Sequence, residues 1–409
     1  MQKYSKIGKD YQSLGLLGLS FFPMLFFPSV TFGLLPGTEV APYAILFSIP
    51  YLKKIDYLLF IFLAYLAISS IVSSIYNFET RGILYESVRS LAAFVNPVIA
   101  FFVLFSFCRN SLEKMWRISL YIFIFIFFLG LLQSFNFLGF AESFFKFLVP
   151  KSSSVDLGIR GVTLLDIEPA RAGVSFLFIY ILIRGVYLKD KYFFISDLII
   201  GLYILLIIES AMAFALYVAF FFIFHIKKTP YIILIALLLF PLLSGIESRT
   251  IMLIGEFYKR PIDEFIMLFI NASGHRIFSI YASTFYGLLH PFGGGVGNWH
   301  ASSQHAAILT GFDLTQLSYY KLLEHGVFAS FRGSGYMMNM LIEGGATGFG
   351  LLLLTIFNKI YKIYKMNAQA KQVILIFLVK IFFIGSVGNP VAWICTALLL
   401  LYIYYNYEI

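Results

Sequence analysis

The chain has 409 residues, of which 60% are hydrophobic, 19% aromatic and only 12% charged, with 48 Phe and 27 Tyr. So few polar side chains cannot cover a water-exposed surface, which excludes an ordinary soluble globular protein. The formal net charge of +9 follows from where Lys and Arg fall between apolar runs, and it points to membrane topology rather than to nucleic acid.

Apolar runs recur from LGLLGLSFFPMLFFPSVTFGLL near the start to AWICTALLLLYIYYNY near the end. Their length, about 17 to 24 residues, crosses a hydrocarbon core of roughly 30 Å. Lipid leaves no backbone group unpaired and the runs lack period-two alternation, so each is predicted to be a helix. Spans are predicted near residues 14–35, 40–52, 56–75, 89–107, 117–135, 168–187, 193–208, 211–226, 230–246, 335–357, 372–388 and 391–406. The expected fold is an all-α polytopic membrane protein of about twelve transmembrane helices in one integral membrane domain. The first run follows Lys3, Lys6 and Lys9 as a signal peptide would, but no small-residue cleavage site comes after it, which predicts a retained anchor.

The connections that hold Lys53, Lys54, Arg109, Lys114, Arg117, Arg184, Lys189, Lys191, Lys227, Lys228, Lys359, Lys362, Lys365 and Lys371 are assigned to the cytoplasm. Both termini are then cytoplasmic. Cys108 and Cys395 are the only cysteines, near or within spans, which speaks against a disulfide framework or a cysteine metal site. Two outer connections are long, 136–167 and 247–334. In the second, ESRTIMLIGEFYKRPIDEFIMLF has apolar spacing suited to an amphipathic helix on the bilayer surface, or equally to a loop helix packed on the bundle.

Charge gathers in the outer connections. In GIRGVTLLDIEPARAG, residues 158–173, Pro169 suits the first position of a helix and Glu168 its N-cap, with Arg160 and Arg171 on either side. A helix N-terminus favours an anion, and a guanidinium beside it suits phosphate oxygens. The alternative is a plain cap in which Asp166, Glu168 and Arg171 pair locally. Farther on, SGHRIFSIYASTFYGLLHPFGGGVGNW places Arg276 before an aromatic-rich helix, and Gly293, Gly294, Gly295 and Gly297 permit a tight backbone near a ligand, or simply a turn. No strand precedes the glycines, so they are not a nucleotide fingerprint. Then FRGSGYMMNMLIEGGATGFG has Arg332 leading into a helix whose Gly344, Gly345 and Gly348 allow close packing.

In this order and placement, the Arg-Gly and Glu-Pro segment, the outer loop with Arg and PFGGGVG, and the EGGATGF helix resemble the bacterial O-antigen polymerase (Wzy-type) and O-antigen ligase superfamily over about residues 158–350. The resemblance implies a metal-independent, cofactor-free type C (GT-C) glycosyltransferase of the bacterial inner membrane. Its substrates would be undecaprenyl-pyrophosphate-linked oligosaccharide repeat units, met at the periplasmic face, with membrane lipid around it and a chain-length regulator as a candidate partner. Arg160 and Arg276 match the arginines assigned to the donor pyrophosphate. Where ligases carry a histidine opening the last of these helices, counting back from Glu343, Gly345 and Gly348 finds Ser334, which favours a polymerase over a lipid A core ligase. A lipid-linked oligosaccharide flippase or transporter is the third reading, and it predicts repeated halves and a midplane site.

Departure of a lipid diphosphate builds negative charge, which preorganised cations stabilise. Arg160, Arg276 and Arg332 are the candidates, with Arg171, Gly293, Gly295, Gly297 and Ser334 as further substrate contacts. Glu168 is the first candidate to take the acceptor proton and His325 the second. No clustered acidic motif of a metal-dependent transferase lies in the outer segments, and no metal is expected. Glu343 and Lys380 fall within spans, where an unpaired charge is costly, which predicts a structural ion pair between them.

Overall fold

A computed structural model of the chain describes residues 25, 56–76, 83–107, 109–135, 137, 161–164, 166, 168–228, 230, 276–311, 330–385 and 387–407. The described residues form α-helices and no strand: α1 Tyr57–Tyr76, α2 Ile83–Leu104, α3 Arg109–Ser134, α4 Pro169–Tyr187, α5 Asp190–Tyr203, α6 Ala211–His225, α7 Arg276–Leu289, α8 Trp299–Leu309, α9 Tyr336–Tyr364, α10 Ala368–Phe383 and α11 Val391–Tyr407. Seven helical stretches among them are long and apolar enough to cross a membrane, and α11 is a shorter apolar helix. The described residues are thus helical throughout their regular structure, with the make-up of a polytopic membrane protein. Apart from residues 25 and 230, the spans expected near 14–35, 40–52 and 230–246, and the surface helix expected over 247–269, lie outside the described residues.

Two helices illustrate how this composition folds. α1 has no charge, Pro or Gly, and it turns Phe60, Ile68, Ile71 and Ile75 outward with at least 60% of each exposed. That face suits lipid, since an apolar patch of this kind is rarely left to water. α11 is buried continuously from Val391 to Leu401 and packs against α2, α4 and α10. A helix apolar all round belongs in the middle. Its Trp393 is met edge-on by Phe101, Phe377 and Tyr336, with ring centroids 5.9, 4.9 and 5.1 Å away.

The regular helices break at two places. α5 runs into a π-helical turn, Ile204–Ile208, that ends at Glu209 with a left-handed φ of 53°. α9 is interrupted at Gly345, where φ is 62° and ψ −169°. The carbonyls freed there are taken by the loop between α7 and α8: Gly294 N–H donates to Ile342 O and Gly295 N–H to Glu343 O, both at 2.9 Å. Tyr65 of α1 donates to Gly344 O at 2.6 Å. The bundle has two chemically different ends. One carries Lys189, Lys191, Lys227, Lys228, Lys362, Lys365 and Lys371; the starts of α4, α7 and α9 and the end of α10 meet at the other.

Candidate functional site

At this second end lies a cavity of about 200 Å³ whose wall includes Glu168, Arg171, Arg276, Arg332, Ser334 and Asn339. Each side chain arrives by a local cause. Pro169 opens α4, and Glu168 before it is extended, with φ −142° and no side-chain cap bond. Its carboxylate is therefore half-exposed at the cavity, 3.9 Å from Arg171 Nε one turn on. The strap leading to Glu168 is pinned by Gln133 of α3, which donates to Leu164 O at 2.9 Å and accepts from Leu164 N–H at 3.0 Å. Leu164 is held there at a left-handed φ of 54°.

Arg276 is the first residue of α7, and its carbonyl accepts from Ser279 Oγ at 2.7 Å and from Ser334 Oγ at 3.0 Å. Ser334 thereby ties the start of α7 to the segment entering α9. Asn339 fixes that segment: its Oδ1 accepts from Gly333 N–H at 3.1 Å, while Nδ2 donates to the carbonyls of Gly333 and Gly335 at 2.7 and 2.8 Å. Arg332, just ahead, lies with its guanidinium 4.5 Å from the Trp299 ring centroid and 3.8 Å from Glu86 Oε2. Glu86 also pairs with Arg89 at 3.1 Å and accepts from Trp299 Nε1 at 3.3 Å. On α8, burial lowers the His300 pKa while Glu86 acts the other way, and Nδ1 lies 2.8 Å from Ser330 Oγ.

Five predicted residues, Glu168, Arg171, Arg276, Arg332 and Ser334, share this one cavity. Arg160 and His325 lie outside the described residues. The glycines require a correction. Gly293, Gly295 and Gly297 have φ of 69°, 89° and 96°, but they face protein and not the cavity. A Cβ on Gly293 would come within 2.6 Å of Glu343 O, and one on Gly295 within 2.6 Å of Ser73 Cβ. The tight backbone lets the loop pack at Gly293 against α9, at Gly295 against Ser73 of α1 and at Gly297 against Ser87 of α2, because only a residue without a side chain allows so close an approach. Gly345 both breaks its helix and packs closely, since a Cβ there would meet the backbone of His290, Pro291 and Gly293, and one on Gly348 would come within 2.9 Å of Tyr65 Cε1 on α1.

The expected Glu343–Lys380 pair does not form. Glu343 Oε2 accepts from Gly297 N–H at 2.7 Å, and Lys380 Nζ has no hydrogen-bond partner. The reason is that α10 ends at Phe383, short of the predicted 388, so Lys380 stands in its last turn. It lines a small void of about 10 Å³ whose wall includes Arg171 and Gly385, both of which also line the larger cavity.

Sequence reasoning missed Glu86, Trp299, Gln133 and Asn339. Glu86 left a signal, an acid in the first turn of an apolar helix; the other three are visible only through their tertiary partners. A volume of about 200 Å³ is smaller than the roughly 300–1,000 Å³ of a pocket for a drug-sized molecule. With three guanidiniums in its wall, it fits the small anionic part of a larger ligand. Among the described residues no group of three His, Cys, Asp and Glu is placed to hold a metal ion. No family model, curated protein or solved structure matches the chain.

Proposed function

We propose that the chain is an O-antigen polymerase of the GT-C kind. It moves the growing glycan from undecaprenyl pyrophosphate to the non-reducing-end sugar of a new lipid-linked repeat unit. The observation that carries this reading is the convergence of Arg171, Arg276 and Arg332 with the half-exposed Glu168 on one cavity. In the bacterial inner membrane, with about twelve spans and both termini cytoplasmic, that cavity opens to the periplasm. The lysine-rich end of the bundle supports this orientation.

In the reaction, the bond from the donor's anomeric carbon to the diphosphate oxygen breaks and a bond to the acceptor hydroxyl oxygen forms. The leaving diphosphate stays on its lipid with one more negative charge, which Arg276, Arg332 and Arg171 stabilise from fixed positions; the resemblance adds Arg160 to this set. Glu168 takes the hydroxyl proton. Purified protein incubated with the lipid-linked repeat unit should give a ladder of products on a gel. A single transfer to lipid A core would identify a ligase instead, and no covalent product with the lipid-linked unit moved across a bilayer would identify a flippase.

A further inference from the structure

A cavity of about 480 Å³ lies at the opposite end of the bundle. Its wall contains Arg184 of α4, Lys191 of α5, Lys228 just beyond α6 and Gln372 of α10. Behind it sits Asp197, fully buried on α5, which accepts from Tyr180 Oη, receives Arg184 Nε at 2.9 Å and has His225 Nε2 within hydrogen-bond distance of its other oxygen. Buried ionic groups in an apolar bundle are costly and mark function more often than stability.

The arrangement holds Arg184 in one pose. The residue is 3% exposed, with its guanidinium carbon 3.8 Å from the Phe193 ring centroid and 4.7 Å from that of Phe224. Only its Nε is used by Asp197, so the two terminal nitrogens are left at the cavity wall without a hydrogen bond. Lys191 and Lys228 add two point charges at the rim, where Asp190 is the one carboxylate in the lining. A preoriented guanidinium fork flanked by ammonium groups is the donor set that a tetrahedral oxyanion needs.

We propose that this cavity is a second binding site, for a phosphate group, independent of the glycosyl-transfer reading. The phosphate comes either from an anionic phospholipid headgroup, with Phe193, Phe194 and Phe224 beside the lipid, or from free phosphate. Protein in neutral detergent, titrated separately with phosphatidylglycerol and with inorganic phosphate, tests this by the rise in melting temperature.

Lys191 and Lys228 are exposed, so a Lys191→Gln/Lys228→Gln pair leaves the buried Arg184–Asp197 contact intact. Loss of two cations should weaken the apparent affinity roughly 30-fold. A Lys362→Gln/Lys365→Gln pair, with the same charge loss at the same end, should leave it within about twofold, because its charges lie outside the cavity and are screened. Stabilisation by lipid alone identifies the headgroup as the source, and stabilisation by phosphate as well identifies the ion. Equal weakening by both pairs, an unweakened cavity pair, or no shift with either ligand overturns the site.

Discussion

Asn339 uses both ends of its side-chain amide to hold the backbone of residues 333–335, the turn that sets Arg332 and Ser334 against the cavity. Asn339→Ala leaves those buried groups unpaired at about 1–3 kcal/mol each. A melting temperature lower by several degrees is therefore expected, with loss of polymer exceeding the loss of folded protein; an unchanged melt would show that the turn holds itself. The chemistry is tested beside it. Arg276→Lys keeps the charge but loses the guanidinium fork, and it should abolish polymer at normal protein levels. Glu168→Gln should slow transfer about 10²-fold or more if the carboxylate takes the acceptor proton. A near-native rate in Glu168→Gln would leave Glu168 as a helix start and nothing else.

At the scale of elements, the glycine loop and the broken α9 act as one unit. The loop's N–H groups take the carbonyls that α9 loses at Gly345, and Thr347 N–H donates to Pro291 O at 2.9 Å. Gly345→Ala forces a side chain into a left-handed φ of 62° and against the backbone of residues 290–293. With ψ at −169° this backbone conformation is essentially confined to glycine, and a side chain there costs about 1–3 kcal/mol; the clash adds to it, so this variant should fall below wild type by about 2 kcal/mol or more in denaturant unfolding. Ala at the exposed end of the same helix is the control for helix propensity. The need for glycine at 293, 295 and 297 was legible in the sequence, but its cause was not. Spacing reveals that a backbone must come close to something, and both a ligand and a neighbouring helix meet that demand. The Lys380 prediction failed for a similar reason. Periodicity located α10 but not its end at Phe383, and those few residues decide whether Lys380 meets Glu343 or the void beside Arg171.

At the scale of the whole bundle, the two ends differ in charge. Arg171, Arg276 and Arg332 converge with Glu168 on the cavity at one end, and lysines gather in the short connections at the other, where Arg184 lines the second cavity. The described spans were legible because lipid permits few alternatives to an apolar helix of fixed length. The cavity was legible only as a set of arginines next to helix starts, since its shape depends on Asn339 within α9, Gln133 on α3 and Glu86 on α2. If the arginine end faces the periplasm, a cysteine at exposed Ala301 of α8 should react with a membrane-impermeant maleimide in intact cells. One at exposed Lys365, after α9, should react only once the membrane is opened. Cys395 is buried, so it gives little background, and replacing Cys108 with Ser removes the other native thiol. The reverse pattern would place the arginines on the cytoplasmic side. A periplasmic polymerase could not then work, because a diphosphate on a lipid presented at the outer leaflet would meet the lysine-rich end rather than the cavity where Arg171, Arg276 and Arg332 converge with Glu168.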